Sequence, residues 1–178
     1  MTLLSKSFRK QCETIAAEKR MELGLRIFDP LPAQLLAQKY EALIRRPDEM
    51  NMPQDVVQYF LDDTNWWGFL FPFKPPVIVY DPKQSPARFE STIMHELAHL
   101  ILEHPPERIY FAPDGSFSRV YNSVIEAEAA YLGSCLQIPR RGLLWTVQKG
   151  MSNEEMARHF KASVEMVNWR QSMVNWKK

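Results

Sequence analysis

The stretch that most constrains this chain is His95-Glu96-Leu97-Ala98-His99. It lies inside Arg88–Glu103, which holds no Gly or Pro and repeats apolar Phe89, Ile93, Leu97, Leu100 and Ile101 at helical spacing. On a helix, positions i and i+4 sit one turn apart on one face. Both imidazoles can then reach one ion, at the roughly 2.0–2.1 Å typical of Zn–N bonds. Glu96 follows the first imidazole, where its carboxylate can take a proton from water activated by that ion. The bland alternative, a surface helix with two solvated histidines, leaves the acidic residues downstream unexplained.

Two histidines do not make a catalytic zinc site. Such sites commonly use three protein ligands and keep a fourth position open. His104 comes five residues after His99, so a continued helix would turn it about 140° away; it reads as a helix-end histidine. Cys135 lies in an apolar run where a buried thiol is the ordinary expectation. Glu126 and Glu128 are better placed, in a second helical run from Val124 to Leu136 that stops before Pro139. Spacing alone does not choose between them.

With these residues together, the chain resembles the ImmA/IrrE family of metallopeptidases. The resemblance runs from about Pro76 to Pro139. It rests on Val77-Ile78-Val79-Tyr80-Asp81, on Ser85, Arg88 and Thr92, on His95 through Leu102 with His104 following, on Glu126-x-Glu128-Ala129, and on Leu136-Gln137-Ile138-Pro139. The chain departs from the family pattern at Ala130, where Asn is usual, and at Leu132-Gly133, where Phe-Ala is usual. The resemblance implies Glu126 as third ligand, with Glu128 the fallback. It also implies a substrate class, helix-turn-helix transcriptional repressors, in phage, mobile-element or stress regulation.

The rest of the chain predicts an α+β fold: a mainly helical, zincin-like core with a small sheet beside the motif helix, then a helix-turn-helix-like segment. Helices are expected over residues 1–22, from Pro32 to Ile44, and from Pro53 to Leu61. Trp66–Phe71 and Val77–Tyr80 read as two strands joined through Phe73-Lys74-Pro75-Pro76. A free edge of such a sheet can accept an extended peptide. Ser85 and Pro86 form a helix start. Residues 105–121 read as a loop around Pro113-Asp114-Gly115. Near the C-terminus, Ser152 with Glu155 is a capping-box pattern. Lys161-Ala162 reads as a turn, and Ser163 caps a second helix carrying Val164, Val167 and Trp169. That second helix carries Glu165 and few basic residues, which argues for packing or partner binding over DNA recognition. The expected division is a metallopeptidase-like domain over 1–145 and a helical segment over 146–178.

Bulk properties narrow the function further. A formal net charge of +1 does not suit nucleic-acid binding through bulk positive charge. The two cysteines, Cys12 and Cys135, show neither a disulfide framework nor metal-type spacing, which fits reduced thiols and a cytoplasmic setting. No run of 18 apolar residues is present, so no membrane span is expected. The expected protein is a zinc endopeptidase with His95, His99 and Glu126 holding Zn²⁺ and Glu96 as general base. Tyr80, Tyr121 and Arg88 are candidate oxyanion donors. The alternative is a non-catalytic regulator that binds a repressor or DNA and uses its metal structurally.

Overall fold

The computed structural model describes residues 4–62, 66–105, 109–111, 117–119 and 122–174, with backbone alone at 109–111 and 117–119. The fold is α+β and mainly helical, as the periodicities predict. The central pair is α4 (Pro86–Ile101), which carries the motif, and α5 (Ser123–Gln137), which packs along it. Ser85 caps α4 by accepting from the Arg88 amide, with Pro86 in the first turn. Asn122 caps α5 through the amides of Val124 and Ile125.

Around this pair lie α1 (Lys6–Glu22) and α2 (Ala33–Lys39). Their Cys12, Ala16 and Leu36 pack with Ile93, Met94 and Leu97 of α4 and Leu132 and Leu136 of α5, all fully buried. Arg20 of α1 is buried too. Its guanidinium donates to the carbonyls of Leu136, Ala16 and Asp29, so the last turn of α5 is tied to α1. Burial pulls the Arg20 guanidinium down to about 10, with Glu13 and Asp29 partly offsetting that.

The predicted hairpin forms. Strand β2 (Gly68–Phe71) pairs antiparallel with β3 (Val77–Tyr80), Gly68 opposite Tyr80 and Phe71 opposite Val77. The helix expected to reach Ile44 ends instead at Lys39. Glu41 takes a left-handed conformation at φ 54°, and Leu43–Arg45 becomes β1, parallel to β3. Pairing with a distant strand outweighs the local helical pattern there. The sheet order is β1-β3-β2. Phe60 from α3 (Gln54–Asp62) closes one face of the sheet, packed edge-on against both Trp66 and Phe69.

The expected loop over 105–121 is also corrected. Its backbone pairs β4 (Ile109–Phe111) antiparallel with β5 (Phe117–Arg119). The turn expected at Pro113-Asp114-Gly115 lies outside the described residues.

Helix α6 (Arg140–Gln148), which the sequence reading did not anticipate, follows Pro139. The C-terminal pair forms as predicted. Ser152 and Glu155 make a reciprocal capping box on α7 (Asn153–Phe160), Lys161 turns left-handed at φ 53°, and Ser163 caps α8 (Val164–Met173). Met156, Phe160 and Val167 of this pair share a core with Ile138 and Leu143. The single basic residue of α8, Arg170, is 0% exposed. It donates to the Ile138 carbonyl and pairs with Glu13 of α1 at 2.5 Å. Among the described residues, no helix is long and apolar enough to cross a membrane.

Candidate metal centre

The apolar face of α4 turns Ile93, Met94 and Leu97 into the core, and the opposite side of the same turn carries His95 and His99. Their Nε2 atoms lie 3.1 Å apart. Helix α5 brings Glu126 across from them. One carboxylate oxygen is 3.2 Å from His95 Nε2 and the other 3.5 Å from His99 Nε2. The His99 and Glu126 side chains are only 8% and 12% exposed, and His95 is 27% exposed. Ligands about 2.05 Å from a tetrahedral ion stand roughly 3.3 Å from one another. Two imidazoles and a carboxylate at these spacings suit such an ion in both geometry and donor chemistry. Among the described residues they are the one such group of three, with donor atoms within 4.8 Å of one another.

Glycine sets how closely the elements meet. At Gly133 of α5 an added Cβ would stand 3.1 Å from the Met94 carbonyl and 3.1 Å from the His95 Cα. The absent side chain lets α5 lie directly on the turn that carries the first histidine. At Gly68 an added Cβ would stand 2.6 Å from Thr92 Cγ2 and 3.3 Å from Glu96 Oε1, so the start of β2 also rests on α4.

Glu128 does not join the three donors. Its carboxylate lies 3.3 Å from His104 Nε2, and His104 Nδ1 lies 3.0 Å from His99 Nδ1. The expectation that His104 would point away from His99 is therefore corrected. The projection assumed a continuing helix. In fact α4 ends at Ile101, Glu103 turns left-handed at φ 54°, and the His104 amide donates back to the His99 carbonyl. That reversal folds the ring onto the far nitrogen of His99. A non-glycine residue at positive φ gives little sequence signal.

Glu96 is 7% exposed and lines a cleft of about 570 Å³ together with His95 and Glu126. Trp67 and Arg88 stand at this cleft as well, with the Arg88 guanidinium stacked 4.1 Å from the centre of the Trp67 ring. Partial burial pulls the Arg88 guanidinium below its ordinary value. Met166 of α8 also lines the cleft, so the C-terminal helices reach the site, which sequence spacing did not reveal. Of the other oxyanion candidates, Tyr80 packs edge-on against Phe89 and is not among the cleft-lining residues. Tyr121 lies outside the described residues. Both thiols are buried and free.

A solved structure described as a Mycobacterium tuberculosis transcriptional regulator is similar to 95% of this chain, with a TM-score of 0.59 and 16% identity. This chain spans 48% of that one, and the likeness concerns the fold alone. No curated protein matches the chain. A peptidase family model described as the IrrE N-terminal-like domain matches residues 37–172, from α2 through nearly all of α8, and the chain belongs to that family.

Proposed function

We propose that this protein is a zinc-dependent endopeptidase whose substrate is a helix-turn-helix transcriptional repressor. The observation that carries the reading is the convergence of His95, His99 and Glu126 beside buried Glu96, with His95, Glu96 and Glu126 lining the cleft. Zn²⁺, when held by these three side chains, supplies Lewis acidity toward the scissile carbonyl and toward water. Glu96 takes a proton from the attacking water and returns it to the departing amine. Glu128 accepts a hydrogen bond from His104 Nε2, which leaves His104 Nδ1 to accept from His99 Nδ1. His99 is then held in the tautomer whose Nε2 lone pair faces the ion.

Strand β2 lies at one edge of the three-stranded sheet and starts against Glu96, so an extended substrate segment can add to its outer edge over the cleft. The repressor as substrate, and a role in phage, mobile-element or stress regulation, rest on the family resemblance. The unit over 1–145 holds the metal centre, and the segment over 146–178 frames it through Met166. With Arg170 buried, α8 offers no basic side chain to DNA. A structural metal in a non-catalytic regulator calls for a closed four-ligand set. Among the described residues no fourth donor joins the three, which favours the enzyme.

The test is metal analysis and cleavage of a candidate repressor by wild type, Glu96→Gln and Glu126→Ala. Glu96→Gln is expected to bind one zinc and leave the repressor intact. Glu126→Ala is expected to lose the metal. Cleavage by Glu96→Gln at the wild-type rate would overturn the mechanism.

A further inference from the structure

Trp67 is 46% exposed and stands at the cleft beside exposed Arg88. The guanidinium carbon of Arg88 lies over the Trp67 ring, 4.1 Å from its centre, a cation–π contact that holds the two side chains together. Among the described residues no carboxylate pairs with Arg88, although cation–carboxylate pairs are plentiful elsewhere on the surface. The Arg88 guanidinium is thus held over the Trp67 ring at the cleft. Trp and Arg are also the residue types that dominate binding hot spots.

We propose that the Trp67–Arg88 shelf is a specificity site that receives an acidic side chain, Asp or Glu, of the peptide lying in the cleft. Arg88 precedes His95 by seven positions on the same helix. Two turns of helix span about 10 Å, and an extended chain rises about 3.3 Å per residue. The acidic residue therefore lies about three residues from the cut bond. Its carboxylate takes the outer N–H groups of the guanidinium in a two-point contact, and the Trp67 ring backs that contact. Glu96 and Glu126 lie further along the same cleft, so Arg88 also separates an acidic substrate residue from those two carboxylates. In this reading Arg88, about two turns along α4 from His95, acts on substrate choice and not as an oxyanion donor, so the chemistry at Glu96 is left alone.

This inference rests on the peptidase reading, and one experiment separates the two. Zinc-loaded wild type, Arg88→Ala, Arg88→Lys and Arg88→Glu are incubated with a proteome-derived peptide mixture, and cut sites are read by mass spectrometry. Wild type is expected to favour Asp or Glu two to four residues from the cut bond. Arg88→Ala loses that preference, and Arg88→Glu shifts it toward Lys or Arg. On a single peptide from the profile, kcat/KM of Arg88→Ala falls roughly tenfold for the acidic form and less than twofold for its Asn or Gln counterpart. Arg88→Lys keeps the charge, loses the planar stack, and recovers part of the preference. Zinc content and thermal midpoint, read for every variant, are expected to match wild type. Cleavage by wild type with no acidic preference, or a preference that survives Arg88→Ala, would overturn the shelf and leave the peptidase standing. A wild type that binds zinc and cuts neither peptide nor repressor would overturn both.

Discussion

His104 Nδ1 stands 3.0 Å from Nδ1 of His99, on the side of the ring away from the three converging donors. Replacing His104 with Ala removes the ring that sits against Nδ1 of His99. Zinc affinity is expected to fall roughly 10- to 100-fold, the range typical of lost orienting partners. Glu128→Gln still offers an oxygen to His104 and is expected to lose less than Glu128→Ala. Competition with a chromophoric chelator measures each, and nitrogen NMR of His99 reports its tautomer. An unchanged affinity in His104→Ala would show that the ring contributes packing alone.

Gly133 permits a close approach of the two helices that carry the donors. A side chain there meets the backbone of Met94 and His95, which cannot swing aside. Gly133→Leu is expected to push α5 away from α4 and carry Glu126 off the histidine pair. Overpacking of this kind costs about 1–3 kcal/mol. Urea denaturation and zinc titration are expected to show both losses, with Gly133→Ala milder in each.

The Glu13–Arg170 pair joins the first helix to the last. Arg170 is 0% exposed, and Glu13 also accepts from the Arg140 amide. Glu13→Ala strands a buried cation, at a cost of about 3 kcal/mol. A double replacement, Glu13→Leu with Arg170→Met, is expected to recover much of the loss. Chemical denaturation of the three variants tests this. Equal stability of single and double variants would deny the coupling.

The thiol of Cys12 is pushed up from 9.0 to about 12 by burial and by neighbouring Glu13, and burial raises that of Cys135 as well. Unfolded chains ionise these thiols near the ordinary value, whereas the folded state holds the protons. Their contribution is therefore complete below about pH 9 and is lost as pH rises toward 12. Cys12→Ala is expected to lose stability less steeply than wild type across that window. At pH 8 both native thiols are expected to resist alkylation until the protein unfolds.

The sequence by itself determined what local chemistry can encode. The α4 periodicity, the serine caps at Ser85, Ser152 and Ser163, and the strand pattern of Val77–Tyr80 each depend on residues within one or two turns of each other, and each formed as read. The spacing of His95 and His99 set their Nε2 atoms on one face for the same reason. Tertiary structure decided the rest. Glu126 and Glu128 look equivalent in sequence, and only the packing of α5 on α4 through Gly133 sends one to the histidine pair and the other to His104. His104 was misplaced because a left-handed turn at Glu103 reverses the chain after the helix ends. Leu43 and Ile44 left the predicted helix because the strand they pair with lies more than thirty residues further on. These outcomes are contacts between segments far apart in sequence, formed when two faces bury each other, and no single segment carries the pattern that decides them.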